Sequence, residues 1–92
     1  MDRTRQAIAG TLESNDIHIA ISGSNGESGN KIVLESIVVK QFGPAIQAVI
    51  EACLADASLR GVEVTAKDRG ALDWTIKARM ETAITRYKRL QP

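Results

Sequence analysis

The sequence is poor in the residues that build disulfide frameworks, zinc sites and aromatic binding platforms. Its 92 residues include one cysteine, one histidine, two prolines and one each of Trp, Tyr and Phe. A lone cysteine can form neither an intrachain disulfide nor a cysteine-based zinc site. Three aromatic residues are too few for a surface on which nucleic-acid bases stack. Domains of these kinds are therefore disfavoured.

Long hydrophobic runs are also absent. The longest run, 52–55, has four residues, whereas a membrane-spanning helix needs ~20. Residues 1–12 lack the basic start, apolar centre and small-residue cleavage site of a secretory signal, so we expect a cytoplasmic protein without membrane contact. A chain of this length buries roughly 60 to 70% of its unfolded surface. That is enough for one domain over residues 1–92, but leaves no room for a deep catalytic cleft.

The charge is nearly balanced, with 12 Lys and Arg residues against 11 Asp and Glu residues, which argues against strong attraction to nucleic acid. The balance is uneven along the chain, because residues 1–58 carry a net charge of −3 and residues 59–92 carry +4. A solvated helix face is the simplest interpretation of the basic end, although an acidic or phosphate-bearing partner stays open. The cations concerned are Arg79, Arg86, Lys88 and Arg89.

Hydrophobic periodicity predicts a strand at each end of a polar turn. The short apolar segment 6–12 is interpreted as a first strand, and the small polar residues at 13–16 as a bend. Ile17, Ile19 and Ile21 alternate with smaller or polar residues, which is typical of a strand with one buried face.

Two further strands are predicted. A Gly- and Ser-rich loop at 22–30 precedes the β-branched segment 31–35, which we expect to pair with the preceding strand as a hairpin. The segment 62–65 alternates again and predicts a fourth strand.

Two amphipathic helices are predicted around that fourth strand. The first begins between Ser36 and Pro44, with Pro44 at its start or in its first turn. The second begins after Asp68, whose carboxylate is expected to cap it, and ends in a basic turn. The apolar stripes predicted to be buried are Val39, Phe42, Ile46, Val49, Ile50, Cys53 and Leu54 in the first helix, and Leu72, Ile76, Met80, Ala83, Ile84 and Tyr87 in the second.

The resulting order, β-β-β-α-β-α, predicts an α+β fold. A small sheet of three to four strands would have two helices packed on one face, so that the apolar stripes of the helices cover the apolar face of the sheet.

The side chains that most often carry chemistry have simpler structural interpretations here. His18 is at an outward position of its strand and has no predicted catalytic partner. Cys53 falls on the apolar face of a helix, where a thiol acts as a small hydrophobic group. Asp68 and Asp73 are explained by helix capping and the helix dipole. Trp74 lies beside the stripe of its helix and is expected to be partly exposed, either at a partner surface or packed over the helix edge. No catalytic residue and no metal site is predicted.

Ser14 is the residue whose surroundings permit a modification. It lies in the polar turn with Glu13, Asn15 and Asp16, where a modifying enzyme could reach its hydroxyl. An ordinary turn serine is the simpler interpretation, and Ser22, Ser24 and Ser28 are equal competitors on pattern alone.

Five blocks in order resemble the acyl carrier protein (gamma subunit) family of citrate lyase, and the resemblance runs from about residue 7 to residue 86. The blocks are Ala9-Gly-Thr-Leu-Glu-Ser14-Asn-Asp16, Lys40-Gln-Phe-Gly43 followed by Ala45-Ile46, Arg60-Gly-Val62, Gly70-Ala-Leu-Asp73 and Ala78-Arg79. The Asp-Ser-Leu motif and acidic helices of fatty-acid carriers are missing, which disfavours a four-helix bundle with directly bound pantetheine. The sequence departs from the family at Pro44, at Trp74 and in the loop 22–30.

The resemblance implies a covalent prosthetic group derived from 2'-(5''-triphosphoribosyl)-3'-dephospho-CoA, joined by a phosphodiester to Ser14. The thiol of that group would hold acetyl and citryl thioesters. The implied partners are an alpha subunit (acyl transferase), a beta subunit (acyl lyase) and a prosthetic-group transferase, while the carrier itself is non-catalytic. Carriers of malonate decarboxylase or citramalate lyase are the nearest alternatives. A more distant one is an interaction or nucleic-acid-binding module that uses the basic C-terminal helix.

Overall fold

The fold is an α+β sandwich, as predicted, and its element order is the predicted β-β-β-α-β-α. The computed structural model describes residues 6–23, 29–37 and 39–90. The elements are β1 (Gln6–Ala9), β2 (Ile17–Gly23), β3 (Lys31–Ser36), α1 (Val39–Asp56), β4 (Val62–Asp68) and α2 (Asp73–Arg89).

The four strands form one mixed sheet in the order β1-β2-β4-β3. β2 pairs antiparallel with β1 and with β4, whereas β3 pairs parallel with β4. The predicted hairpin between β2 and β3 is therefore wrong. Because α1 connects β3 to β4 as a crossover, the two strands run in the same direction. β4 then lies between β2 and β3, and its apolar residues Val62, Val64 and Ala66 are completely buried.

Both helices cover one face of this sheet, as predicted. Ile17, Ile19 and Ile21 of β2 are fully buried against them, and the register places Ile19 beside Ala66 and Ile21 beside Val64. The residues that alternate with these along β2 and β4 are half-buried or exposed on the other face. His18 is among them, which confirms its outward position, although its side chain is half-buried.

Helix α1 differs from its prediction at its N-terminal half. Ile46, Ile50, Cys53 and Leu54 are buried as expected, but Phe42 is 52% exposed, so the buried stripe begins one turn later. Pro44 lies inside the helix, beyond its first turn. The side chain of Val39, also predicted to be buried, is outside the described residues.

Strand β4 is longer than predicted, and α2 begins later. β4 continues to Asp68, and α2 starts at Asp73 with Leu72 at its N-cap position and no side-chain cap. The predicted cap by Asp68 is therefore wrong, because that carboxylate belongs to the strand end and the turn after it. The rest of the α2 stripe is buried as predicted, but Leu72 is 54% exposed. Basic residues occupy the last turn, also as predicted.

The described residues form two helices, α1 and α2. Neither has both the length and the hydrophobicity of a membrane-spanning helix.

Candidate functional site: the Ser14 turn

The segment that presents Ser14 begins with a glycine that no other residue could replace without a clash. β1 ends at Ala9, three residues earlier than predicted, and Gly10 has a φ of +86°. A Cβ atom built on Gly10 would overlap with the carbonyl oxygen of Ile17. The chain can therefore leave β1 and fold back along the start of β2 only with glycine at this position.

Ser14 occupies the first central position of a tight turn. The amide of Asp16 donates to the carbonyl of Glu13 at 3.2 Å, and Asn15 has a φ of +66°. A positive φ at the second central position is the requirement of a type II turn, which asparagine tolerates. Ser14 is exposed, and its hydroxyl has no hydrogen-bond partner among the described residues. The predicted exposure of this serine is confirmed.

The carboxylate of Asp16 fixes this turn from beneath. It accepts hydrogen bonds from the Thr11 amide at 3.1 Å and the Thr11 hydroxyl at 2.7 Å, and from the Ile17 amide at 2.7 Å. Arg79 of α2 completes the set, because its Nε and Nη2 donate to the two oxygens of Asp16 at 3.0 and 3.1 Å. Such a two-pronged contact fixes the orientation of the carboxylate as well as its charge.

These contacts favour the ionised form of Asp16. The hydrogen bonds from Arg79 lower the pKa of this carboxyl most, burial opposes them, and the Thr11 and Ile17 bonds reinforce them. The pKa falls from 3.8 to about 2. Asp16 therefore stays charged at any pH above about 3, and the turn keeps its anchor.

A second buried aspartate holds the neighbouring turn. Asp68, at the end of β4, is completely buried and accepts hydrogen bonds from the Ser36 hydroxyl at 2.8 Å and the amides of Gly70 and Ala71 at 3.1 and 2.9 Å. A carboxylate that binds the amides two and three residues later forms an Asx-type turn.

The two turns are joined through their backbones. The amide of Asn15 donates to the carbonyl of Arg69 at 2.7 Å, and the amide of Arg69 donates to the carbonyl of Asp16 at 2.9 Å. These bonds extend the antiparallel pairing of Ile17 with Asp68 beyond the end of the sheet. Ser14 consequently lies on a surface supported by β1, β2, β4 and α2.

The basic residues of α2 are largely occupied within the protein. Arg79 holds Asp16, Arg86 donates to the carbonyl of Ile8 at 2.6 Å, and Lys88 donates to the carbonyl of Ala57 at 3.0 Å. The solvated-face interpretation therefore needs correction for Arg79, which is half-buried and anchors the Ser14 turn through Asp16. The contacts of Arg86 and Lys88 give no support to a continuous phosphate-binding face.

The other candidates do not converge on Ser14. His18 faces the side of the sheet that the helices leave open. Cys53 lies on the buried face of α1, and burial raises the pKa of its thiol. Among the described residues, no three His, Cys, Asp or Glu side chains could hold a metal ion. Ser24 and Ser28 lie outside the described residues, while Ser22 lies half-buried in β2.

The site therefore offers a hydroxyl on a rigid, exposed support, and no base in the described part of the chain is bonded to it. Such a hydroxyl can receive a covalent group from another enzyme, and a bulky group fits because the turn points into solvent. An exposed serine on an anchored turn is the arrangement that a carrier domain requires at its attachment residue.

Comparison with known proteins agrees with that class. Residues 4–87 match the family model described as ACP, malonate decarboxylase delta subunit (MdcD). A citrate lyase acyl carrier protein of Lacticaseibacillus casei (strain BL23) is 51% identical over 94% of this chain and 83% of its own length. Those of Halothermothrix orenii and Streptococcus mutans are 45% and 44% identical, over 94% and 99% of this chain and 89% and 88% of their own lengths. The chain belongs to this family of acyl carrier proteins.

Proposed function

We propose that this protein is the acyl carrier subunit of a citrate lyase complex, modified on Ser14. The attached group is the CoA derivative that the sequence resemblance implies, linked to the serine oxygen by a phosphodiester. Its thiol supplies the site for acyl thioesters. The protein acts in the cytoplasm as a single, non-catalytic domain, and its partners are an alpha acyl transferase subunit, a beta acyl lyase subunit and a prosthetic-group transferase.

The residues of this chain have a positioning role. Asp16 and Arg79 hold the Ser14 turn, and Gly10 lets the chain enter it, so the hydroxyl meets a modifying enzyme in one conformation. After modification, the same turn holds the attachment point of the arm in one position on the domain. A tethered acyl group then reaches two active sites at an effective concentration that free diffusion would not supply.

Two observations support the proposal. The similarity to citrate lyase acyl carrier proteins extends over 94% or more of this chain, and the serine in the matching block is exposed on an anchored turn. The description of the matching family model favours one alternative, a carrier for malonate decarboxylase. Reconstitution with the subunits of either complex distinguishes the two by which acid is consumed.

Intact-mass spectrometry tests the attachment site. The protein is co-expressed with the prosthetic-group transferase and its nucleotide precursor, and we expect one added group. Ser14→Ala should remain at its unmodified mass, and a complex assembled with it should lose citrate cleavage completely.

Ser22→Ala is the matched control, since Ser22 is another described serine and lies in β2. It should gain the group as the wild type does. An unchanged wild-type mass, or a Ser14→Ala protein that still gains the group, would show that the proposed site is wrong.

A further inference from the structure

An open apolar groove lies beside the Ser14 turn. It has a volume of about 560 Å³, within the range of sites that hold small molecules. One wall is the N-terminal half of α1, including Phe42 and Ala45, and the other is the segment 70–74, which runs into the first turn of α2 and includes Leu72 and Trp74. Ile46 belongs to both the groove and the core.

Exposed large hydrophobic side chains are concentrated at this groove. Phe42, Leu72 and Trp74 are 52%, 54% and 71% exposed. Leu72 and Phe42 are also two residues that helical periodicity predicted to be buried, so the core leaves them uncovered. Apolar side chains gathered around a concave surface are typical of a binding site.

The groove begins where the Ser14 turn ends. Gly70 lines the groove, and a Cβ atom built on it would lie 3.5 Å from Oδ1 of Asn15, the residue after Ser14. The groove and the turn are therefore in van der Waals range of each other at this point, and the φ of +92° at Gly70 favours glycine there. The hydrogen bond from Asn15 to Arg69 holds the two features together.

We propose that this groove binds the nucleotide end of the group carried on Ser14, with its aromatic base stacked on Trp74. This inference rests on the proposed function, because it needs a nucleotide tethered at that serine. An indole offers a flat apolar face to a base and stacks without a sequence-specific hydrogen bond. The tether supplies an effective concentration in the millimolar range, which makes weak stacking sufficient.

Docking of the nucleotide would shorten the mobile part of the arm. The phosphodiester end stays beside the carrier, while the thiol end remains available to the two catalytic subunits. The base is also withdrawn from solvent, where it could stack on aromatic side chains of other proteins.

Trp74 is the only tryptophan, so its fluorescence reports on the groove alone. Quenching by acrylamide is compared between the unmodified protein and the modified protein whose mass shows one attached group. We expect the quenching constant to fall about twofold on modification, because the base covers the indole for a large part of the time.

Leu72→Ser and Ile8→Thr give the matched variants. Leu72 lies in the groove at the N-cap of α2, where serine is a favourable residue, so this variant should fold and be modified but lose the protection of Trp74. Ile8 lies in β1 and is 44% exposed. It is not a groove residue, and Ile8→Thr should retain the protection.

The outcomes separate this inference from the proposed function. Modification without a change in quenching overturns the groove assignment and leaves the carrier function intact. Protection of Trp74 that appears only after the alpha or beta subunit is added also overturns it, and assigns the groove to a protein partner. A protein that never gains the group overturns both proposals.

Discussion

At the scale of single residues, the Asp16 carboxylate makes more of the contacts that hold the Ser14 turn than Ser14 itself does. Five hydrogen bonds converge on it, two of them from Arg79. The Asp16 side chain is 12% exposed, whereas that of Arg79 is 42% exposed, so water can solvate the guanidinium when its partner is removed. The cost therefore comes mainly from the weakened hydrogen bonds of Thr11, Ile17 and Arg79 to this position.

Asp16→Asn should lower the free energy of unfolding by about 2 kcal/mol, because charge-assisted bonds are replaced by neutral ones. Urea denaturation measures the change. Glu13→Gln is the matched control, since Glu13 is an exposed carboxylate in the same turn, and its effect should stay within about 0.5 kcal/mol. Equal effects of the two substitutions would contradict the role given to Asp16.

The difference between wild type and Asp16→Asn should also depend on pH. The pKa of Asp16 is lowered from 3.8 to about 2 in the folded protein, so its ionised form stabilises the fold above about pH 4 by about 2 kcal/mol. This contribution is lost as the pH falls through about 2. A difference in stability that stays constant from pH 5 to pH 2 would contradict the lowered pKa.

The exposure of Ser14 was predictable, but its anchor was not. Small polar residues between two apolar segments indicate a turn, and a turn side chain points to solvent. The partner of Asp16 lies 63 residues further along the chain, and no local pattern identifies such a contact. Arg79 lies at the half-buried edge of α2, and its position in the sequence does not indicate that it binds Asp16.

At the scale of elements, β1 depends on a helix to protect its outer edge. β1 is a four-residue edge strand paired only with β2, and its Ile8 carbonyl accepts a hydrogen bond from Arg86 of α2. Edge strands with unpaired backbone groups are prone to pair with other chains. Arg86 satisfies one of these groups and ties the edge to the helix layer.

Arg86→Gln should therefore lower the free energy of unfolding by about 1 kcal/mol, the usual contribution of one hydrogen bond. Arg89→Gln changes the charge of the same last turn, and among the described residues Arg89 has no hydrogen bond or ion pair to lose. It should change stability by less than about 0.5 kcal/mol. Thermal unfolding of both variants at one ionic strength gives the comparison, and a larger loss in Arg89→Gln would contradict the edge contact.

Element types were predictable from periodicity, whereas the pairing of β3 was not. The alternation in β2 and β4 and the helical spacing in α1 and α2 reflect which side chains are buried, so the sequence itself shows these patterns. Periodicity shows which face of a strand is buried, but it does not show which strand lies at the centre of the sheet. The sequence did not mark β4 as the central strand, because β3 contains Ile32, Val33 and Leu34 and is no less apolar than β4. The two strands differ in burial only once the sheet is assembled.

At the scale of the whole molecule, stability should be centred on β2 and β4. β4 is hydrogen-bonded on both sides, and its neighbours are β2 and β3. Native-state hydrogen exchange should therefore be slowest at amides of β2 and β4, such as those of Ile19 and Val64, which exchange only through global unfolding. β1 should exchange faster, because it is short and lies at the edge. Slower exchange in β1 than in β4 would contradict this distribution.

The contact between Asp16 and Arg79 also imposes an order on biosynthesis. A chain still on the ribosome has made Ser14 long before it makes α2, so the serine exists for a time without the anchor of its turn. The presentation of the hydroxyl is completed only when the C-terminal helix has packed. If Ser14 is the attachment site, as proposed, and the modifying enzyme recognises the formed turn, the group is attached to folded carriers and not to unfinished chains.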